Sequence, residues 1–382
     1  MRLALRELRR RPGRFSIAAA ILTLIAVLLM FLGGLLDGLI DSSVAAVKAQ
    51  DGNIIVFSSQ AGGSFERSRA SVRLRSTVAG VPGVAQVGGI GVVQLGARLP
   101  GRGARDLVDV ALFGYQIAPR GVPAPPPPGE AYADAVLKDA GVQEGMTLLI
   151  GPARSPIKVI GFVHHTGYLG QGSLWAEADT WRAVQNANRP NNILADGVFQ
   201  ALLVRGGPTA SKFANRSHTV LSGKDLTRDI DRLTSGRTKS VTVSDAADGM
   251  PGIAEQRGVF NQIISVTVFV ALVVVTLFFA LLTVERSGLY GVLKAIGARS
   301  RSLFLSLIVQ AVVVTLVASL IGGALAATFD AMIPRGSIPF SLSAVRVANS
   351  IGLLLLAAVL GSGFSLRRVL RIDPASVMGN AP

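Results

Sequence analysis

Four long apolar runs divide the chain, and each is long enough to cross a lipid bilayer as a helix. A run of about 20 residues, rising 1.5 Å per residue, spans the hydrocarbon core. The runs are Phe15–Leu36, Ile263–Val284, Leu303–Ala327 and Val347–Phe364. Between their ends they contain no Asp, Glu, Lys, Arg or His. The pattern predicts a polytopic α-helical membrane protein with four transmembrane helices, and it disfavours an ion-coupled transporter, which needs ionisable groups in its spans.

The first run has a second interpretation, a cleavable signal peptide. Signal peptides carry an apolar region of only about 7–15 residues, which is shorter than Phe15–Leu36. The length favours an uncleaved anchor, although Ser43–Ala46 resembles a cleavage site.

Strand-like and helix-like patterns alternate between the first and second runs, and they predict an α+β domain. The predicted strands are Asn53–Ser58, Val84–Leu99, Leu107–Tyr115, Met146–Ile150, Ile157–Val163, Val198–Val204 and Ser240–Val243. The predicted helices are Phe65–Val78, Glu130–Ala140, Asp179–Ala187 and Asp225–Leu233. Asp41–Gln50 and Gly252–Gln262 read as helical stalks. Pro123–Pro128 is either a connector between two lobes or a surface loop.

Charge asymmetry orients these segments. Of 38 Lys and Arg residues, 13 lie in the short segments 1–14, 285–302 and 365–382, which the positive-inside rule places in the cytoplasm. Both termini are therefore expected on the cytoplasmic side of a bacterial plasma membrane. The predicted segments are a 1–14 cytoplasmic segment, spans 15–40, 260–284, 303–327 and 347–364, a 41–259 extracytoplasmic domain, a 285–302 cytoplasmic loop, a 328–346 short outer loop and a 365–382 cytoplasmic tail.

Composition and motifs exclude or disfavour several kinds of catalytic and binding site. The chain has no cysteine, which excludes disulfides and thiol catalysis. No phosphate loop occurs, and the glycine-rich stretch Gly88–Gly91 lacks the last glycine of a dinucleotide fingerprint. Adjacent His164 and His165 in a strand would point to opposite faces, which disfavours a metal site. The net charge of +15 has no basic stripe with interleaved aromatics, so nucleic acid is not expected. We predict no catalytic site and no metal.

Small residues in the spans allow close helix contacts. They include Gly33 and Gly34, Gly322 with Ala326, and Gly361 with Gly363. Packing within one chain and a dimer interface both explain them.

The loop after the second run contains the most informative pattern. Leu289, Val292, Leu293 and Ile296 form one apolar face of a short helix, and Gly297 ends it. Such a helix either lies on the bilayer or docks in a groove of a soluble partner.

At these residues the chain resembles the four-span permease subunits of ABC transporters related to MacB and FtsX. The charged pair Glu285–Arg286 leaves the second span, and Lys294–Ala298 ends the short helix, as in that family. Arg371–Ala375 resembles the family's terminal tail, and segment 1–14 resembles its amphipathic entry helix. The resemblance implies that 285–302 is a coupling loop. Ala135–Val163 resembles a stretch of its outer domain more weakly.

The resemblance implies a dimeric permease, homomeric or heteromeric, that docks separately encoded ATPase subunits. ATP and Mg²⁺ would bind those partners, and this chain itself would not be an enzyme. The implied ATPase contact is Leu289, Val292, Leu293, Lys294, Ala295, Ile296 and Gly297. No substrate-binding residue is assigned.

The function expected from the resemblance is transmission of ATPase motion to the outer domain, for export or extraction of peptide, lipoprotein or lipid-like substrates. A signalling subunit that activates an extracellular cell-wall hydrolase is one alternative. A membrane-anchored sensor without an ATPase is another. An extracytoplasmic lipoprotein or hydrolase is a further candidate partner.

Overall fold

The computed structural model describes residues 12–103, 105–207, 223–285, 300–333 and 339–370. These residues form two compact units, which meet along the chain after Gly38 and after Glu255. We call Leu39–Glu255 the sheet unit and the rest the helical unit. Most of the predicted entry helix 1–14 and of the tail 365–382 lies outside the described residues.

The helices and strands follow one another along the described chain in a fixed order. They are α1 (Pro12–Lys48), β1 (Ile54–Ser58), α2 (Val72–Ala79), β2 (Val84–Arg98), β3 (Leu107–Tyr115), β4 (Glu130–Asp134), β5 (Thr147–Ile150), β6 (Ser155–Val163), β7 (Gly172–Glu177), α3 (Ala178–Asn188), β8 (Ala201–Gly206), α4 (Gly223–Leu233), β9 (Thr238–Thr242), α5 (Val243–Asp248), α6 (Ile253–Glu285), α7 (Ser300–Met332) and α8 (Ala344–Leu370). Short 3₁₀ turns occupy Ala135–Lys138 and Pro190–Asn192.

Four of these helices are long and apolar enough to cross a membrane. The qualifying segments are Ser16–Lys48, Ile253–Glu285, Leu307–Met332 and Ala344–Gly363. They confirm the predicted four transmembrane helices with an α/β domain between the first two. Both predicted stalks are helical as well, since α1 continues to Lys48 and α6 begins at Ile253. Ser43–Ala46 therefore lies inside a helix, with Ala46 fully buried.

The sheet unit is organised around a closed ring of six strands. The ring runs β2–β3–β7–β4–β6–β5 and returns to β2 through the pairing of Ala97 with Ile150. The first half of β2 extends beyond the ring and pairs with β8, followed by β1 and β9. The long β2 strand thus belongs to both parts of the sheet. Pro123–Pro128 joins β3 to β4 within the same ring, so it is a loop and does not separate two lobes.

Glycines on β2 and β3 make room for aromatic rings on one face of the sheet. The Trp181 ring lies so close over Gly91 and Gly114 that a Cβ on either glycine would collide with it. Phe199 covers Gly89 in the same way. Trp181 and Phe199 are both buried. The glycine-rich stretch rejected above as a phosphate site therefore acts as a floor for aromatic packing.

The opposite face carries a row of buried aromatic side chains. Phe113 stacks on Trp175 with ring centroids 4.5 Å apart, and Tyr168 meets Phe113 edge-on at 5.2 Å. Phe65 continues the row from Tyr168 towards Phe57. Because successive strand residues point to opposite faces, this row is separate from the Trp181 core.

Two of the helices predicted for the sheet unit were wrong in whole or in part. Glu130–Ala140 was predicted as a helix, but Glu130–Asp134 forms strand β4 between β6 and β7, and a 3₁₀ turn follows it. Burial between two strands overrides the weak strand propensity of Glu, Ala and Asp. Helix α2 begins only at Val72, capped by the Ser71 hydroxyl, and not at Phe65.

Candidate functional site

The predicted ATPase contact lies outside the described residues. Helix α6 ends at Glu285 and α7 begins at Ser300, so all seven residues from Leu289 to Gly297 fall in the intervening segment. Their role stays a prediction. The described sites that bear on function are the contacts that hold the first helix.

Inside the helical unit, most of the small residues singled out above pack against other parts of the same chain. A Cβ on Gly322 of α7 would lie 2.8 Å from the Cβ of Ala26 on α1. On α8, a Cβ at Gly361 would lie 2.9 Å from Oγ1 of Thr276 on α6. Gly363 has no neighbour within 4 Å. Of the two explanations left open, packing within the chain accounts for Gly322 and Gly361.

Three glycines on α1 receive the segment that leads into α8. A Cβ on Gly34 would lie 2.6 Å from the Phe340 ring, and one on Gly38 would collide with the Pro339 carbonyl. The amide of Ser341 donates a hydrogen bond of 3.0 Å to the carbonyl of Gly34. Gly33 similarly accommodates the side chain at position 346.

An ion pair completes this contact. The guanidinium of Arg346, in the first turn of α8, binds Asp37 of α1 through two nitrogens. Nε donates a hydrogen bond of 2.9 Å to Oδ2, and Nη2 donates a second one to Oδ1. Each side chain is only 24% exposed. A bidentate Arg–carboxylate pair fixes the orientation of both partners, as well as adding charge-assisted hydrogen bonds. We call residues 339–346 with their partners on α1 the α1–α8 clamp.

The other end of α1 is held within the sheet unit by the loop between β6 and β7. The amide of Ala46 donates to the carbonyl of Gly167 at 2.9 Å, and the amide of Leu169 donates to the carbonyl of Ser43 at 2.8 Å. A Cβ on Gly167 would lie 2.6 Å from the carbonyl oxygen of Ser42. The loop therefore follows the helix backbone at a distance that only glycine permits.

Arg120 closes the end of the same helix. Its amide donates to the carbonyl of Ala49 at 2.7 Å, and its guanidinium reaches the carbonyls of Lys48 and Gln50 at 3.5 and 3.4 Å. Carbonyls at a helix C-terminus lack partners within the helix, so a basic side chain is favourable there. We call these contacts, together with Gly167 and Leu169, the helix-end site.

A buried polar chain supports the loop of the helix-end site. Trp175 donates from Nε1 to the Ser173 hydroxyl at 2.8 Å, and Ser173 donates to the Thr166 hydroxyl at 2.8 Å. Thr166 donates its hydroxyl and amide to the Asp134 carboxylate at 2.6 and 2.8 Å. All four side chains are buried. Since each donor has an acceptor, the chain fixes the loop without leaving an unpaired polar group.

Tyr168, beside Gly167, ties this loop to the aromatic row. Burial, with a smaller contribution from Glu66, raises the pKa of Tyr168 above its ordinary value. Burial likewise raises the pKa of Tyr115, whose hydroxyl donates to the carbonyl of Pro123 at 2.8 Å. Both phenols are therefore neutral at physiological pH.

The histidine pair is arranged differently from the expectation. His164 and His165 follow β6 in an exposed turn and do not lie in a strand, because β6 ends at Val163 and His165 adopts a positive φ of 56°. Among the described residues, no group of three or more His, Asp or Glu side chains is placed to hold a metal.

Residues 261–374 match the family model described as FtsX-like permease C-terminal. This range includes the loop motif on which the resemblance was based. Over these residues the chain is similar to an FtsX-like permease C-terminal domain. The predicted resemblance is thereby confirmed over α6, α7 and α8, and the clamp residue Arg346 lies within this domain.

Curated relatives of the chain include permeases named for hemin transport. The HrtB permease protein of Staphylococcus haemolyticus is 31% identical over 126 residues, which are 33% of this chain and 35% of the relative. HrtB of Staphylococcus epidermidis strain RP62A is 25% identical over the same length and coverage. The match thus spans about a third of the length of these relatives.

Two solved structures are similar to part of the chain. The periplasmic region of MacB from Actinobacillus actinomycetemcomitans is 13% identical, with a TM-score of 0.34, and the match covers 52% of this chain and 92% of that one. The extracellular domain of the ABC-type transporter YknZ from Gram-positive bacteria is 12% identical, with a TM-score of 0.30, over 50% and 98%.

Sequence reasoning missed both contacts that hold α1. A signal for the clamp was present, because Asp37 directly follows the first apolar run and Arg346 directly precedes the fourth. The positive-inside rule places those two ends at the same membrane face, where opposite charges can pair. The helix-end site had no comparable signal, since most of its bonds join backbone groups.

Proposed function

We propose that this chain is the membrane permease subunit of an ATP-driven ABC transporter. The match over 261–374 carries this proposal, because the FtsX-like domain includes the loop from which the ATPase contact was predicted. ATP and Mg²⁺ would bind to a separate ATPase that docks on Leu289, Leu293 and Ile296. The sheet unit would lie outside the cell, and both termini would lie in the cytoplasm.

The mode of action we infer is transmission of motion through helices. Helix α1 runs without a break from an apolar span to Lys48, where the helix-end site holds it by backbone hydrogen bonds. A displacement of α1 would therefore move the loop around Gly167 with it. The apolar runs lack ionisable groups between their ends, which agrees with transmission better than with passage of a polar substrate through the spans.

The substrate class we propose is amphipathic: peptides, lipoproteins or lipid-like molecules taken from the membrane or the envelope. Hemin, named for the relatives, is amphipathic too and belongs among the first compounds to test. In cells that lack the chain, accumulation of one such compound would support export, whereas a cell-wall defect rescued by a hydrolase would favour the signalling alternative.

A pull-down of the tagged full-length chain from its native membrane tests the ATPase contact. We expect an ATPase to co-purify, and Leu293→Asp or Ile296→Asp to abolish its recovery by placing a charge in an apolar interface. Ser287→Asp, which adds the same charge on the opposite side of the predicted helix, is the matched control and should retain the ATPase. If no ATPase co-purifies with the unsubstituted chain, the anchored-sensor alternative replaces the proposal.

A further inference from the structure

The α1–α8 clamp combines contacts of four different physical kinds within a few residues. Besides the Arg346–Asp37 ion pair and the glycine contacts, Phe31 stacks on Phe340 with centroids 5.4 Å apart. The backbone hydrogen bond from Ser341 to Gly34 is the fourth. Opening the clamp would break all of them together.

The surroundings of the ion pair also disfavour opening. Asp37 and Arg346 are each about three-quarters buried, at the ends of apolar segments. Separating them would leave two largely buried charges without partners, which costs far more than separating an exposed pair.

Arg346 is itself held in place on α8. Its amide donates to the Ser343 hydroxyl at 3.1 Å, which caps the start of the helix. The next residue, Val347, approaches Gly323 of α7, with its Cγ1 3.8 Å from a Cβ built there. The clamp therefore joins α1 to the start of α8 at a point where α8 also meets α7.

We propose that the α1–α8 clamp stays closed permanently, so that α1 and α8 keep one register while the protein works. Asp37 and Arg346 are the positioning residues of this clamp. The mechanical consequence rests on the proposed function: the FtsX-like domain would move the outer part of α1 through α8 as well as along α1 itself. The closed state of the clamp can be measured separately.

Cysteine cross-linking can test whether the clamp is closed. Because the chain has no cysteine, only the introduced pair can react. In full-length protein in its native membrane, Gly34→Cys with Phe340→Cys should cross-link to completion through a disulfide or a short bis-thiol reagent. The control pair, Gly34→Cys with Gly352→Cys, should not cross-link, since a Cβ on Gly352 would meet no atom of another helix within 4 Å. A fraction of folded protein that resists cross-linking at the clamp pair would overturn the proposal.

Adding nucleotide to the complex of the chain with its ATPase then tests whether the clamp stays closed during the ATPase cycle. The cross-link yield should be the same without nucleotide and with ATP and vanadate, and the cross-linked complex should show no loss of ATPase rate. A lower yield in the trapped state, or inactivation by the cross-link, would show that the clamp opens. If no ATPase co-purifies, the proposed function fails, while a fraction that resists cross-linking would still contradict a permanently closed clamp.

Substituting the charges of Asp37 and Arg346 tests whether this ion pair positions the clamp. Asp37→Asn and Arg346→Gln should each lower the cross-link yield at the clamp pair, because the remaining charge loses its partner. The double exchange Asp37→Arg with Arg346→Asp should recover the yield. Single variants that cross-link as fully as the unsubstituted charges would show that the ion pair does not position the clamp.

Discussion

The two contacts that hold α1 solve the same problem with different chemistry. In the helical unit, the α1–α8 clamp uses side chains: an ion pair, a ring stack and glycines that admit Phe340. In the sheet unit, the helix-end site uses backbone groups of the helix and of the loop around Gly167. Both contacts depend on a glycine whose Cβ would collide with a carbonyl.

The difference follows from what each part of the helix leaves available. Within a long helix most backbone groups already bond to each other, so a partner binds mainly through side chains, which at the edge of an apolar segment can include charge. The bond from Ser341 to the carbonyl of Gly34 is the one backbone contact described for the clamp. Near the helix end, carbonyls lack partners within the helix, and Arg120 binds those of Lys48 and Gln50. The loop bonds to the amide of Ala46 and the carbonyl of Ser43, one turn earlier. One helix is thus held by specific side chains at one place and by general backbone geometry at another.

The largest expected effect comes from overfilling the clamp. Gly38→Val would push a side chain into the backbone of Pro339 and Phe340, which cannot move aside by changing a rotamer. We expect a loss of about 3 kcal/mol. Both tryptophans, Trp175 and Trp181, lie in the sheet unit, so the loss should appear in the helical circular dichroism transition and much less in tryptophan fluorescence.

Gly352→Val is the control for that prediction, because Gly352 is exposed on α8 with nothing within 4 Å. Equal destabilisation by the two valines would mean that the clamp adds nothing beyond the helix propensity of the site.

A smaller effect is expected at the helix-end site. Gly167→Ala places a methyl group 2.6 Å from the Ser42 carbonyl, and we expect a cost of about 2 kcal/mol. Because this contact lies in the sheet unit, the tryptophan fluorescence midpoint should fall, by roughly 4–8 °C. Gly161→Ala, whose new methyl would meet Tyr132 at an ordinary 3.5 Å, should leave the midpoint nearly unchanged.

The smallest effect appears only at alkaline pH. The pKa of Tyr168 is raised in the folded protein, so its contribution to stability is complete below about pH 10 and is lost as the pH rises further. Tyr168→Phe should therefore match the unsubstituted protein at pH 7 and lose less stability between pH 9 and pH 11. Parallel decline of both proteins across that range would contradict the raised pKa.

Local patterns were enough for much of the sheet unit. Leu107–Tyr115 was predicted as a strand with both ends correct, and Asp179–Ala187 as a helix within one residue of each end. The missed strands, Glu130–Asp134 and Gly172–Glu177, lie side by side in the ring. Their composition is ordinary for helices or loops, and only pairing with neighbouring strands makes them extended.

The sequence by itself determined the four spans, their stalks and the membrane class of this protein, because the demand for about 20 apolar residues per crossing is local to each segment. Only the tertiary structure decided which glycine faces which partner, and that Asp37 meets Arg346 across 309 positions of the chain. Contacts of that kind depend on helix packing and strand order, which no short stretch of sequence encodes. The ATPase contact was predicted from the sequence, whereas the clamp and the helix-end site became visible only in the tertiary structure.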